Sequence, residues 1–392
     1  MDCATKHYSD NQGASHLNMK EANDQALSDG QKKTVLFVLP RLYPGGAERV
    51  LITLMNNMDR KNYDVRFVCL SGEGTIRHWI DSDVNVSALH KKRVSSSIIA
   101  LYKHIKAEQP DTVVSTMVHC NAALLLLKPF FKNIRFIVRE SSLPMALIKE
   151  YGWKGNVCSY IYKYLYPKAD LVVSPATIIT DEFRHDLKIF TGNHKILFNP
   201  VNESRLMNTI SGFDVDEKQR LKTQHFICVG RLGYEKGYDR LIESLVNYKA
   251  PEGMDWRLDI VGKGAETKNL GELIRKYGLE KNIKLAGYNN APWPLIAEAD
   301  CLLLPSRWEG MPNVALEALA CGTDVIGHTN AGGITEISKH AKDGEVRVAH
   351  DMDEFIALMK DVKPQIKSLP IQSKLPDVFK LKNVMHEFEK LV

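Results

Sequence analysis

Two glutamates, Glu309 and Glu317, lie in the stretch S-R-W-E-G-M-P-N-V-A-L-E-A-L-A-C-G at residues 306–322. Glu309 falls in a loop. Glu317 falls in a helix whose other residues, Val314, Ala315, Leu316, Ala318, Leu319 and Ala320, are apolar around nearly the whole circumference, so the helix is expected to be buried. A carboxylate there is costly unless paired, so Glu317 is expected to meet an arginine, backbone donors or the hydroxyls of a ligand. Pro312 suits the first turn of this helix and Gly322 its end. The helix start leaves the N–H groups of Gly310, Met311 and Asn313 without intrahelical partners, a ready anion site. Carboxylates for hydroxyls beside a cradle for phosphate outline a nucleotide-sugar site.

Two further stretches add cations and glycines. In G-R-L-G-Y-E-K-G at residues 230–237, Arg231 and Lys236 flank a turn where a strand ends. Diphosphate suits such a pair, arginine forking onto oxygens and lysine acting as a point charge. Near the start, R-L-Y-P-G-G-A-E-R-V at residues 41–50 joins a strand to a helix, so the backbone at Gly45 and Gly46 can approach an anion closely. This is neither G-x-G-x-x-G nor G-x4-G-K-[ST], which removes the main support for dinucleotide and P-loop readings. His119, in T-M-V-H-C-N, and Arg139 and Glu140, in R-E-S-S, each follow an apolar strand. Ligands gather at such strand ends. The D-x-D tripeptides at residues 81–83, 214–216 and 351–353 lack accompanying His or Glu ligands, so no metal is expected. The second and third precede helices and read as caps, with Glu354 placed for a capping box with Asp351.

These groups need elements to position them. Short apolar runs predict strands at Thr34–Pro40, Val65–Leu70, Thr112–Ser115, Arg135–Val138, Leu171–Ser174, His225–Val229, Arg257–Val261, Ile283–Leu285, Cys301–Leu304 and Asp324–Ile326, with helical stretches between. Alternation of this kind argues for parallel α/β structure. A chain of 392 residues suggests two domains, since single cores stop growing near ~250–300 residues. The composition, 44% hydrophobic and 25% charged, is that of a globular protein, and a net charge of +5 does not argue for nucleic acid. Seven scattered cysteines without a C-x-x-C read as reduced core residues of a cytosolic protein. Residues 1–33 are polar, without the apolar segment of a signal peptide, and read as a disordered tail. The apolar run Ala122–Leu127 is too short to span a bilayer. From Met145 to Lys168, Trp153, Tyr160, Tyr162, Tyr164 and Tyr166 interleave with Lys149, Lys154, Lys163 and Lys168. That pattern fits a membrane interface, and equally a half-buried helix with a solvated lysine face. A polar helix is expected at about 214–222 and a short amphipathic one at about 378–392.

E-G-M-P-N-V-A-L-E, followed by A-C-G-T, resembles the E-x7-E signature of the retaining glycosyltransferases of family 4, which have the GT-B fold. G-R-L-G-Y-E-K-G is similar to that family's G-R-L-x-x-x-K-G, G-G-A-E-R to its first cleft-facing loop, and F-N-P-V at residues 198–201 to its interdomain hinge. The resemblance covers roughly residues 34–340. It implies two Rossmann-like domains facing across a cleft: residues 34–198 for the acceptor, 199–375 for the donor, and 376–392 crossing back to the first. It further implies transfer of a sugar from a nucleoside diphosphate sugar, UDP favoured, to a hydroxyl of a glycan or lipid-linked glycan, with retention and no metal or other cofactor. Arg231, Lys236, Gly310, Met311 and Asn313 would hold the diphosphate, Glu317 the ribose and Glu309 the transferred hexose. Gly262, Gly264 and Tyr288 would lie near the base and diphosphate, with Gly45 and Gly46 opposite. His119 stands where relatives place a polar residue near the two sugars, and is the catalytic candidate beside Glu309. A-G-G-I-T-E-I at residues 331–337, with Glu336, also matches, whereas Asp324 stands where Pro is usual. A cytoplasmic location, at the inner face of the membrane, is expected, aided by the cluster at residues 91–93. An epimerase or hydrolase of nucleotide sugars on the same fold, or a non-catalytic glycan-binding subunit, are the alternatives.

Overall fold

The computed structural model describes residues 32–150, 152–189, 192–210 and 220–392. The expectations for the tail, for the Asp214–Asp216 tripeptide and for most of the helix at 214–222 lie outside the described residues. Two parallel sheets account for the strands. The first joins β1 (Lys33–Leu39), β2 (Tyr63–Cys69), β3 (Asn85–Ala88), β4 (Thr112–Thr116), β5 (Arg135–Arg139), β6 (Leu171–Ser174) and β7 (His194–Ile196) in the order β3-β2-β1-β4-β5-β6-β7. The second joins β8 (Thr223–Val229), β9 (Asp255–Val261), β10 (Ile283–Gly287), β11 (Cys301–Leu304), β12 (Asp324–His328) and β13 (Val346–Ala349) in the order β10-β9-β8-β11-β12-β13. Both follow the doubly wound pattern, in which chain direction across the sheet reverses once. The reversals fall between β1 and β4 and between β8 and β11.

The central strands are apolar runs because helices cover both faces. Val35 to Leu39 of β1 and Cys301 to Leu304 of β11 are buried throughout. β3, β7 and β13, which the sequence reading does not contain, are short outer strands. Asn85–Ala88 has no fully buried residue, and His194–Ile196 carries two exposed ones. Such strands leave no apolar run to read.

Five helices matter for the site and its surroundings: α1 (Gly46–Asn56), α2 (Val118–Leu127), α3 (Trp153–Tyr164), α4 (Asn313–Ala320) and α5 (Leu381–Glu389). Val384, Met385 and Phe388 of α5 pack into the core beneath β1, with the Phe388 ring 6.1 Å from Phe37. The chain reaches that position after Val201 bridges to Lys380, so its end is tied to the first sheet. Cys69, Cys120, Cys158, Cys228, Cys301 and Cys321 are buried and unpaired.

Candidate functional site

The site is built where each sheet reverses, because the loops leaving the two switch strands diverge there and open a crevice. In the first sheet, β1 leads through Gly45 and Gly46 into α1, and β4 leads through Met117 into α2, whose second residue is His119. In the second, β8 leads into the Arg231–Lys236 turn, and β11 leads through Glu309 into α4.

Glu317 lies on the buried face of α4 and is 8% exposed. Its Oε1 accepts from Arg49 Nη1 at 2.6 Å, and its Oε2 from Trp293 Nε1 at 3.2 Å. The arginine expected beside it therefore comes from α1, across the crevice. Glu309 Oε1 accepts from Lys236 Nζ at 2.8 Å and from Ser306 Oγ at 2.7 Å. Both side chains are largely buried, 18% exposed for Lys236 and 11% for Glu309, so this pair is screened less than a surface one. Arg231 is different: its side chain is 71% exposed and donates to Glu235 Oε1 from Nη2 at 2.8 Å. Lys236 is thus the cation already seated beside Glu309, and Arg231 lies at the rim.

Gly310 sits where only a glycine fits, since a Cβ there would lie 2.0 Å from the Ser141 carbonyl oxygen. The two halves of the molecule touch at that point. Among the described residues, the N–H groups of Gly310, Met311 and Asn313 donate no hydrogen bond, so the start of α4 keeps its donors for an anion. Asn313 also joins the halves: its Oδ1 accepts from Asn199 Nδ2 at 2.6 Å, and its Nδ2 reaches the Gly46 carbonyl at 3.5 Å. Asn199 Oδ1 in turn accepts from Arg139 Nη2 at 2.5 Å. Arg139 and Glu140 are therefore below the crevice, not on its wall. Burial lowers the Arg139 guanidinium to about 10, and its Nη1 has no partner among the described residues. Burial also raises the Glu140 carboxyl, against the opposing pull of Tyr166, Tyr162 and the N–H groups of Ser142 and Ser141. Glu140 thereby holds the Ser141 loop that meets Gly310.

His119 is exposed at the start of α2, yet surrounding protein lowers its pKa, with the Arg41 charge adding to the effect. Both effects favour the neutral form of its imidazole. Gly46 faces Asn313, whereas Gly45 faces only the carboxylate of Glu48 in its own helix. A Cβ on Gly262 would lie 1.8 Å from the Gly230 carbonyl, so the β8 and β9 loops press together backbone to backbone. Gly264 makes a similar approach to Leu232. Tyr288 is 53% exposed at the end of β10, with Lys263 Nζ 4.9 Å from its ring centre. Glu336 accepts from the Thr177 N–H at 3.4 Å, another link between the halves.

Sequence reasoning did not single out Arg49, Trp293, Asn199 or Ser306. Arg49 had a local signal, one turn into the helix that follows Gly46; Trp293 had none. Among the described residues no cluster of three or more His, Cys, Asp or Glu gathers as metal ligands would. Asp351 accepts from the Glu354 N–H at 2.8 Å and Glu354 from the His350 N–H at 2.7 Å, while Asp83 pairs with Arg60 at 2.8 Å.

The profile of the family described as "Glycosyltransferase Family 4" matches residues 44–205, and that of "Glycosyl transferases group 1" matches residues 213–365. The chain is 25% identical over 301 residues to the N-acetylgalactosamine-N,N'-diacetylbacillosaminyl-diphospho-undecaprenol 4-alpha-N-acetylgalactosaminyltransferase of Campylobacter jejuni, covering 75% of this chain and 80% of that protein. It is 25% identical over 359 residues to the UDP-Gal:alpha-D-GlcNAc-diphosphoundecaprenol alpha-1,3-galactosyltransferase of Escherichia coli, covering 84% of this chain and 87% of that protein. The crystal structure of Anabaena HepE in complex with UDP and glucose superposes with a TM-score of 0.69 at 16% identity, over 92% of this chain and 99% of that one.

Proposed function

The chain belongs to the family 4 glycosyltransferases and has the GT-B fold, and on that premise we propose that it moves a hexose from a nucleoside diphosphate sugar, UDP-linked by preference, to a hydroxyl of a lipid-linked glycan, with retention and without a metal ion. Lipid-linked glycans are the acceptors in the names of the Campylobacter and Escherichia relatives, and the Anabaena structure is a complex with UDP and glucose. The observation that carries the reading is the convergence of Lys236, Glu309, Glu317 and the open first turn of α4 at one switch point.

In this reading, residues 199–375 form the donor half, residues 34–198 the acceptor half, and residues 376–392 tie the end of the chain to the latter. The diphosphate lies against Lys236 and the N–H groups of Gly310, Met311 and Asn313, with Arg231 closing from the rim. Gly262 and Gly264 let the base and diphosphate approach the backbone, and Tyr288 offers a ring to the base. Glu317 takes the ribose hydroxyls, for which Arg49 is the present competitor. Glu309 takes a hydroxyl of the hexose.

Retention needs either a carboxylate nucleophile or attack on the face the leaving group departs from. Glu309 is occupied by Lys236 and Ser306, which favours the second route. The bond from the anomeric carbon to the phosphate oxygen breaks as the acceptor oxygen bonds to that carbon on the same face. The acceptor's proton passes to the departing phosphate oxygen. Lys236 and the α4 donors stabilise the charge that develops there, which is why no metal is invoked. His119, neutral, offers a hydrogen bond to a sugar hydroxyl from the opposite wall. The reaction is placed at the cytoplasmic face of the membrane, with the protein bound peripherally.

The test is to supply UDP- and GDP-sugars with polyprenyl-diphosphate-linked glycans in EDTA and to determine the anomeric configuration of the product. The reading expects acceptor-dependent consumption of a UDP-sugar and unchanged configuration. Free sugar released without acceptor, an inverted product or dependence on metal would each overturn the corresponding part.

A further inference from the structure

Helix α3 is anchored on one side and open on the other. Gly155, Cys158 and Tyr162 are buried, and a Cβ on Gly155 would lie 1.9 Å from the Ile148 carbonyl of the neighbouring helix Pro144–Glu150. Tyr162 and Tyr166 donate to the buried Glu140 at 3.2 and 2.6 Å, which fixes the rotation of the helix. That rotation presents Trp153, Val157, Tyr160 and Tyr164 to solvent, 75%, 52%, 61% and 49% exposed. Spacings of three and four residues put these four on a single stripe along the helix. An apolar stripe at helical spacing normally faces a core. Exposed and held rigid, it marks a surface for another body.

The charges say which kind. Between residues 152 and 168 the chain has Lys154, Lys163 and Lys168 but no Asp, Glu or Arg. Lys154 Nζ lies 5.7 Å from the Trp153 ring centre and Lys163 Nζ 5.5 Å from that of Tyr164, so the cations border the rings. Protein–protein interfaces favour arginine and are depleted of lysine. Tryptophan and tyrosine with flanking lysines instead match the headgroup layer, where rings sit at the boundary and ammonium groups meet phosphate. The helix that carries this face packs, on its buried side, against an element of the site. Cys158 and Tyr162 of α3 share a core cluster with Val118, Ala122 and Leu125 of α2, the helix whose second residue is His119. Among the described residues no helix is long and apolar enough to cross a bilayer, so contact through this face would be superficial.

We infer that the Trp153–Val157–Tyr160–Tyr164 stripe of α3, with Lys154 and Lys163, is the surface that rests on an anionic lipid bilayer and brings the acceptor crevice to lipid-linked substrate. The inference rests on the lipid-linked acceptor reading, but its test is separable. The full-length chain is floated with vesicles of phosphatidylcholine alone or with added phosphatidylglycerol, beside the variants Trp153→Ser/Tyr160→Ser/Tyr164→Ser and Lys154→Gln/Lys163→Gln. All five side chains are exposed, and circular dichroism checks that each variant is folded. Wild type is expected to float with the phosphatidylglycerol vesicles only, less so at high salt. Each variant should lose on the order of tenfold in partition, while binding of UDP in solution stays unchanged. Failure of wild type to bind anionic vesicles, or variants that float as wild type does, would overturn the inference. So would sedimentation velocity showing that the stripe joins two copies of the chain. Flotation that succeeds while no sugar is transferred would leave this surface standing and remove the proposed reaction.

Discussion

At the scale of single residues, the site is held by a few charged hydrogen bonds whose burial differs, and the difference sets what each contributes. Glu317 is 8% exposed and is the acceptor for the buried Trp293 indole, so Glu317→Ala leaves that donor unpartnered. A loss of about 1–3 kcal/mol in urea unfolding is expected. The Arg49 side chain is 37% exposed, so solvent weakens its pairing with Glu317, and Arg49→Ala should cost under about 1 kcal/mol. Equal losses from the two would contradict this account of the pair. His194 gives a second prediction. Burial, helped by the Arg184 charge, lowers its pKa to about 4, and its Nε2 sits 2.7 Å from Ser174 Oγ. Between that value and the ordinary ~6.5, the unfolded chain binds a proton that the folded one refuses. Stability therefore falls as pH drops through this window, by roughly 3 kcal/mol in all. His194→Gln should flatten that part of a pH-resolved urea titration, whereas an unchanged slope would assign the acid sensitivity elsewhere. His104, His119 and His328 are shifted in the same direction by burial and add to the slope that remains.

Elements show how far the sequence could be read. Central strands such as Leu171–Ser174 and Cys301–Leu304 were legible to the residue because a strand covered on both faces must be an apolar run. β3, β7 and β13 were not, since short outer strands owe their pairing to a neighbour and not to their own composition. The helix bearing Glu317 was legible from its all-round apolar residues, and the need for a partner followed from that burial. The partner itself was not: Arg49 is 268 positions away, and its place one turn into the helix after the glycine pair does not say that it meets Glu317. The Asn199–Asn313 side-chain contact was hidden for the same reason, although Asn313 itself was a candidate through its N–H, because a contact between halves leaves no local pattern. α5 supplies a prediction at this scale. Phe388 is 2% exposed in the core beneath β1. Phe388→Ala should cost about 3–5 kcal/mol, lowering the melting temperature of the chain. A change within about 0.5 kcal/mol, as for a surface substitution, would mean that α5 contributes little to the first half.

For the whole molecule, two doubly wound sheets bring their switch points to opposite walls of one crevice, joined by Arg49–Glu317, by Arg139–Asn199–Asn313 and by Gly310 against Ser141. Apolar contacts add to these links: Ala176 packs into the core of the second half, and Trp308 against that of the first. On the proposed reading, donor binding competes with one link between the halves, since Glu317, the proposed ribose seat, is also the partner of Arg49. The central claim is that the second half holds a nucleoside diphosphate against Lys236 and the start of α4. Calorimetric titration of UDP in EDTA, with wild type, Lys236→Met and Glu317→Ala, tests it most directly. The account predicts metal-free binding by wild type and a ten- to hundredfold weaker Kd, roughly, in each folded variant, as expected for loss of one charge-assisted hydrogen bond. Binding equally tight in all three proteins, or no binding of UDP by wild type, would contradict it.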